Sequence, residues 1–160
     1  MAVAARLVAL GITLPTPPDP HASWPVPGVT GSLMHVAGQI SKEGDNLLVG
    51  KLGEDLTVED GQRAAAICIV NFLAQVSYNC GGNLDAIKRI VKLNVFVNSS
   101  TTFVQQPAVA NGASDLLVKI FGDRGMHARS AVGVAQLPFG VAVEIDGIVE
   151  LDQYVFYKDM

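Results

Sequence analysis

Residues Gly125–Val149, with the sequence G-M-H-A-R-S-A-V-G-V-A-Q-L-P-F-G-V-A-V-E-I-D-G-I-V, decide the fold of this chain. β-branched residues, which favour strands, alternate with other residues over 130–135 and again over 141–149. Between them, Leu137–Gly140 has the composition of a turn. The pattern predicts a strand, a tight turn and a second strand.

The ionisable residues of this largely apolar region include Arg129 at the start of the first strand and Glu144 in the middle of the second. A buried charge is costly unless it has a partner or a function. An arginine binds a carboxylate through two parallel hydrogen bonds, and a glutamate can accept a proton from water. The pair therefore suits hydrolysis of a small acid. A structural ion pair or a contact at a subunit interface is the alternative interpretation.

Two strands are predicted upstream of this stretch. Leu33–Ile40 is one strand, Leu47–Lys51 is a second short one, and the turn residues between them predict that the two form a hairpin. Gly38 and Gln39 interrupt the first strand and predict a β-bulge or a close approach of another chain segment.

The rest of the chain alternates helices with one more strand. Residues 2–10 predict a short helix, and Thr57–Asp60 has the composition of a helix start, with the helix ending near Asn79. Ile87–Val97 predicts a strand and Pro107–Phe121 a further helix. This order predicts an α+β fold, a two-layer sandwich of a mixed sheet with two helices on one face. The other face is left uncovered, and oligomerisation would cover it.

The composition bounds the function. The chain has 160 residues, which predicts a single domain over 1–160 with an N-terminal helix and proline-rich arm over 1–22. The net charge of −4 argues against a nucleic-acid partner, and no apolar run reaches the roughly 18 residues of a membrane span. The N-terminus lacks the charged region of a signal peptide, so a cytoplasmic location is expected.

The cysteines and histidines indicate neither a disulfide nor a metal site. Cys68 and Cys80 would lie about 18 Å apart along one helix, whereas a disulfide needs Cα atoms within about 7 Å. Free thiols are therefore predicted. The three histidines form no pair with the spacing of metal ligands, so no metal and no other cofactor is expected.

Several segments together resemble the Rid family of reactive intermediate deaminases, once labelled L-PSP endoribonuclease-like or translation inhibitors. The segment H-A-R-S-A-V-G-V-A-Q-L-P-F-G-V-A-V-E-I-D-G-I-V resembles the family's C-terminal signature, and L-M-H-V-A-G-Q-I resembles its strand ending in G-Q. K-L-N-V-F-V resembles a third family strand. The opening A-R-L-V-A-L-G-I-T-L-P resembles a branch of the family with an N-terminal arm.

This resemblance implies a chorismate-mutase-like fold and a homotrimer with active sites in clefts between subunits. It also implies that the protein hydrolyses reactive enamine and imine intermediates, which are 2-imino acids, to 2-oxo acids and ammonia. No cofactor would be needed. The substrate would be a small carboxylate.

The resemblance also assigns residues. Arg129 matches the arginine that binds the substrate carboxylate, Glu144 matches the glutamate that positions the hydrolytic water, and Asn111 matches an asparagine that lines the cleft.

Three further positions depart from the common family pattern. Trp24 stands where many members have a tyrosine, Ala37 where they have a serine, and Ala131 where many have a cysteine. An indole is only a donor, and Ala37 offers no polar group, so the substrate pocket would be larger or more apolar. A bulkier imino acid would then fit, or the deaminase activity would be weakened. The alternatives are a trimer that binds a small carboxylate without chemistry and, less favoured, a ribonuclease or translation inhibitor.

Overall fold

The computed structural model describes residues 1–18 and 27–152. Its three α-helices are α1 (Val3–Ala9), α2 (Val58–Asn79) and α3 (Gln106–Phe121). The predicted helices are confirmed, with ends within one residue or so of the predicted ones. The start of α2 is a capping box, in which the Asp60 N–H donates to Thr57 Oγ1 at 3.1 Å and the Thr57 N–H donates to Asp60 Oδ2 at 3.0 Å.

The strands form one five-stranded sheet and one small hairpin. In chain order they are β1 (Gly28–Thr30), β2 (Leu33–Ile40), β3 (Lys42–Glu43), β4 (Asn46–Leu47), β5 (Ile87–Asn98), β6 (Ala128–Val134) and β7 (Val143–Leu151). The order in the large sheet is β1-β2-β7-β5-β6, with β5 and β6 parallel and the other pairs antiparallel. The predicted mixed sheet of a two-layer α+β sandwich is confirmed.

The strands β6 and β7 follow one another in sequence but are not neighbours in the sheet, because β5 lies between them. The tight turn is present as a 3-10 helix over Pro138–Gly140. Asn98, at the end of β5, binds the segment between this turn and β7. Its N–H donates to the Ala142 carbonyl at 2.9 Å and its side-chain Nδ2 donates to the Val141 carbonyl at 3.1 Å. The chain therefore crosses the end of β5 before β7 begins.

The predicted hairpin of Leu33–Ile40 with Leu47–Lys51 is wrong. The strand β2 pairs with β1 and β7, while the hairpin is a smaller one between β3 and β4. Gly44 has a positive φ of 60° inside this turn, which lets the chain reverse within four residues. After the turn, residues 48–50 leave β2 and lie along residues 140–142, where the Ala142 N–H donates to the Leu48 carbonyl at 2.9 Å and the Gly50 N–H donates to the Gly140 carbonyl at 3.0 Å.

The helices α2 and α3 cover one face of the sheet. In β7 the residues Val143, Ile145, Gly147, Val149 and Leu151 are buried toward this layer, whereas the residues between them are half-buried on the opposite face. We call the two faces the helix face and the open face. We predicted that further copies of the chain cover the open face, and this stays a prediction.

Both cysteines are free, as predicted, and both are buried. The Cys68 thiol donates to the Val143 carbonyl at 3.3 Å, and burial raises the pKa of this thiol well above its ordinary value. Cys68 is therefore a core residue that links α2 to the start of β7.

Candidate active site

Arg129 lies at the edge of the sheet and is held by α3. It pairs with Leu93 of β5, which is buried on the helix face, so Arg129 shares that face. Its Nη1 donates to Asn111 Oδ1 at 2.9 Å and to Ser114 Oγ at 3.0 Å, and its Nη2 donates to the Pro107 carbonyl at 3.3 Å. The side chain of Asn111 is therefore a hydrogen-bond partner of the arginine.

Helix geometry explains why Asn111 and Ser114 reach the same guanidinium. Residues three apart on a helix lie on one face, one turn after another. Gly112 between them lies so close to α2 that an added Cβ would come within 2.7 Å of the Gln62 Cα. The close contact of the two helices thus sets the position of α3 over Arg129. We call Arg129, Asn111, Ser114 and His127 the arginine cluster.

The guanidinium of Arg129 keeps one edge unoccupied by the described residues. Arginine has five N–H donors, and three of them are used by α3. Among residues 1–18 and 27–152, no acceptor contacts the Nε–H or the second Nη2 N–H. A carboxylate binds an arginine through two parallel hydrogen bonds of this kind.

Glu144 lies on the open face, in β7. Its neighbours across the strands are Ile40 of β2 and Phe96 of β5. Within the described part of the chain, its carboxylate has no hydrogen-bond or ion-pair partner. Burial raises the pKa of the Glu144 carboxyl above its ordinary value of 4.5, and the charge of Asp146 raises it further. A half-buried carboxylate with a raised pKa suits a group that accepts a proton.

Gly38 lies against the Glu144 side chain. The register of β2 and β7 shifts between Val36 and Gln39, so the predicted bulge is confirmed. A Cβ on Gly38 would clash with Glu144 Oε1 and come within 2.9 Å of its Cδ, so the predicted close approach is also confirmed. We call Glu144, Gly38 and Ala37 the glutamate site.

Arg129 and Glu144 do not meet within one chain. Arg129 on β6 lies opposite Leu93 on β5, and Leu93 lies opposite Gly147 on β7. Gly147 is three residues from Glu144 along β7. Strand spacing and rise place the Cα atoms of Arg129 and Glu144 about 14 Å apart. The two side chains also lie on opposite faces of the sheet. An ion pair between them in one chain is therefore not formed.

The remaining predicted site residues divide between the two groups. Ala131 pairs with Val95 on the helix face, two residues beyond Arg129, and is half-buried against the core. Ala37 is exposed on β2, directly before Gly38. Trp24 lies outside the described residues.

Two polar residues of the arginine cluster were missing from the sequence analysis. Ser114 Oγ lies 2.9 Å from His127 Nε2, and His127 Nδ1 lies 2.6 Å from the Gly125 carbonyl. The spacing of Ser114 from Asn111 was a usable signal, because it places both on one helix face. His127 carried no such signal, since its contact with α3 depends on the tertiary structure.

Within residues 1–18 and 27–152, no three His, Cys, Asp or Glu side chains gather in a group that could hold a metal ion. In the same residues, no helix combines the length and apolar character needed to cross a membrane.

These features define a class of protein, a two-layer α+β domain that carries an arginine on the helix face of the edge strand and a glutamate on the open face. The pattern of the YjgF/chorismate mutase-like family, which also carries an endoribonuclease label, matches residues 4–147, and the chain belongs to this family. The resemblance to the Rid family and the chorismate-mutase-like fold are thereby confirmed.

Three relatives illustrate what the chain is similar to. "Protein TCP17" of Trypanosoma cruzi is 50% identical, with 94% of each chain covered. The 2-iminobutanoate/2-iminopropanoate deaminase of Dermatophagoides farinae is 28% identical over 88% of this chain and 95% of its own. A crystal structure of the protein Atu1372 from Agrobacterium tumefaciens, of unknown function, is 45% identical, covers 94% of each chain and has a TM-score of 0.88.

Proposed function

We propose that this protein hydrolyses reactive 2-imino acids and their enamine tautomers to 2-oxo acids and ammonia. The observation that carries the proposal is the pair of complementary groups described above. Arg129 has one donor edge left for a carboxylate, and Glu144 is an unpartnered carboxylate with a raised pKa. The similarity to a deaminase that acts on 2-iminobutanoate and 2-iminopropanoate supports the same reaction class.

The proposed site is formed by two copies of the chain. Because Arg129 and Glu144 lie on opposite faces of one sheet, both can contact one small substrate if the glutamate site of one copy faces the arginine cluster of another. A homotrimer with clefts between subunits would satisfy this requirement, and it would also cover the open face.

The chemistry needs little beyond these groups. An imine carbon is already electrophilic, so Arg129 binds the carboxylate and fixes the orientation of the C=N bond. Glu144 of the neighbouring copy orients a water molecule and accepts its proton as the oxygen bonds to the carbon. Glu144 passes this proton to the nitrogen, and the proton of the new hydroxyl group follows, so that the C–N bond breaks, ammonia leaves and a carbonyl forms. Positioned proton transfer of this kind contributes roughly 10²–10⁴-fold to the rate.

A second candidate function is a trimer that binds a small carboxylate without chemistry. Ala37 favours it, because this exposed position beside Gly38 provides no polar side chain to assist proton transfer. A ribonuclease is disfavoured by the net charge of −4.

A coupled assay tests the proposal. An amino-acid oxidase would generate imino acids from alanine and from phenylalanine, and the rate of imine loss would be measured with and without the protein. We expect acceleration that disappears in Arg129→Ala. The matched control is Arg63→Ala, because Arg63 on α2 is 68% exposed and lies 3.8 Å from Asp60. No acceleration on either imine would contradict the deaminase and favour the carboxylate-binding trimer.

A further inference from the structure

A chain of hydrogen bonds continues from Arg129 toward the buried Gly125, on the side of α3. Arg129 Nη1 contacts Ser114 Oγ at 3.0 Å, Ser114 Oγ contacts His127 Nε2 at 2.9 Å, and His127 Nδ1 contacts the Gly125 carbonyl at 2.6 Å. These contacts link β6, α3 and the 3-10 helix over Gly122–Gly125.

The chemistry of the groups sets the direction of every bond in this chain. An arginine only donates, so Ser114 Oγ accepts from Arg129 and its single hydroxyl proton is left for His127 Nε2. A carbonyl only accepts, so His127 Nδ1 carries the ring proton. The neutral imidazole protonated at Nδ1 is therefore the form that satisfies all four groups at once.

The environment favours this neutral form. Burial lowers the pKa of His127 below its ordinary value of 6.5, the Gly125 carbonyl raises it in part, and the charge of Arg129 lowers it again. The far end of the chain is also held in place. Gly125 is buried, and an added Cβ would come within 2.6 Å of the Leu117 backbone carbon and 3.0 Å of the Val118 nitrogen.

We propose that Ser114 and His127 are positioning residues for Arg129, which hold its Nη1 so that the Nε edge stays turned toward the substrate carboxylate. The inference rests on the proposed function, because it gives Arg129 a carboxylate to bind. Neither residue needs to contact the substrate. Asn111 and the Pro107 carbonyl fix two donors of the guanidinium, and Ser114 supplies the third point that stops its rotation.

The first test is binding of 2-oxobutanoate, measured by calorimetry on the full chain. In Ser114→Ala the loosened guanidinium has to be immobilised when the ligand binds, so binding should weaken about tenfold. Ser114→Thr keeps the hydroxyl and should bind within a few-fold of wild type. Equal losses in both variants, or no loss in Ser114→Ala, would overturn the proposal.

Two histidine variants separate positioning from packing. In His127→Gln the side-chain amide oxygen can reach the place of Nε2 and accept from Ser114, whereas the shorter amide of His127→Asn cannot. Once imine hydrolysis is measured, we expect KM to rise about tenfold in His127→Asn, with kcat changed less, and rescue in His127→Gln. Two variants with the same KM would contradict a role that acts through Ser114.

Nitrogen-15 NMR tests the chain of bonds without any ligand. In wild type we expect the His127 proton on Nδ1 at neutral pH, and faster rotation of the Arg129 Nη groups in Ser114→Ala than in Ser114→Thr. A proton on Nε2, or equal rotation in the two variants, would overturn the inference. Failure of wild type to bind 2-oxobutanoate would instead count against the proposed function, and the NMR result would still decide the role of Ser114 and His127.

Discussion

The arginine cluster and the glutamate site are on opposite faces of one sheet, and their polar groups are satisfied to different degrees. In the arginine cluster, three guanidinium donors have partners on α3, and the serine and histidine behind them are hydrogen-bonded as well. In the glutamate site, the half-buried carboxylate of Glu144 has no partner among the described residues and lies against Gly38, where an added Cβ would come within 2.9 Å of its Cδ.

This difference indicates that one chain completes the arginine half of the proposed site by itself, but not the glutamate half. The arginine cluster needs only its own chain to hold a carboxylate-binding edge in place. The glutamate site carries a charge whose burial is unfavourable and uncompensated, as the raised pKa of Glu144 indicates. A water molecule, a substrate or a second copy of the chain would supply what it lacks.

The largest expected effect is recovery of activity when two inactive variants share one assembly. Arg129→Ala and Glu144→Gln should each be inactive alone, because each lacks one half of the site. Co-expressed with different tags and purified on both, they should recover about a third of the wild-type rate, since in any cyclic trimer that contains both variants about one interface in three pairs an intact arginine with an intact glutamate. The measurement is imine hydrolysis by the doubly purified mixed assembly.

Absence of recovery in that mixed assembly would mean that the two residues do not form one site across an interface, whereas activity of either variant alone would mean that the altered residue is not required. The double variant Arg129→Ala/Glu144→Gln, co-expressed with wild type, is the control, because it destroys sites without creating complementary ones.

A slightly smaller effect is expected from a methyl group at Gly38. In Gly38→Ala the new Cβ would displace the Glu144 carboxylate, which is the mobile end of a side chain, so the fold should survive. We expect kcat to fall by about 10²–10⁴-fold, as for loss of the base itself. Gly28→Ala on β1 is the matched control, because its Cβ would meet only His35 Cβ at an ordinary 3.7 Å. Circular dichroism and thermal unfolding would verify the fold, and full activity of Gly38→Ala would contradict the assigned role of Glu144.

The smallest effect concerns pH. Glu144 must be ionised to accept a proton, and its pKa is raised, so activity should be lost on acidification at a pH above the ordinary glutamate value of 4.5. Asp146→Asn removes the negative charge that contributes to the shift and should move this acidic limb to lower pH. Because burial is the larger cause, the limb should move only part of the way. The measurement is the pH dependence of kcat/KM for both proteins.

The matched control for the pH experiment is Glu150→Gln. Glu150 lies on the same strand and the same face, but its carboxylate is paired with Arg89 at 3.0 Å. It is not among the causes of the Glu144 shift. An acidic limb that stays unchanged in Asp146→Asn, or moves equally in Glu150→Gln, would contradict the electrostatic explanation.

Much of the local structure could be predicted from the sequence because it depends on neighbouring residues. Thr57 and Asp60 cap α2 through contacts three residues apart, and the glycine at position 38 marks both the bulge and the close approach to Glu144. The hairpin of residues 33–51 was predicted wrongly, because strand propensity does not indicate which strands pair. In the structure, β2 pairs with β7, more than a hundred residues later in the chain.

Arg129, Glu144 and Asn111 could be selected from the sequence by their chemistry and by family resemblance. Ser114 could have been added by its spacing of three residues from Asn111, whereas His127 could not, because its role depends on a contact between α3 and the segment just before β6. His127 is 13 residues from Ser114 in the chain, a separation at which no helix or strand periodicity predicts contact.

The sequence by itself determined the type and approximate bounds of the main helices and strands, and it indicated the family. It also singled out Arg129 and Glu144, the two charged residues of the proposed chemistry. The reason is that capping, alternation and turn composition act over a few residues. Only the tertiary structure decided that β5 separates β6 from β7, and therefore that Arg129 and Glu144 point to opposite faces. Side-chain direction alternates along each strand, so the face of a residue depends on the register of pairing, which is set by contacts between distant segments.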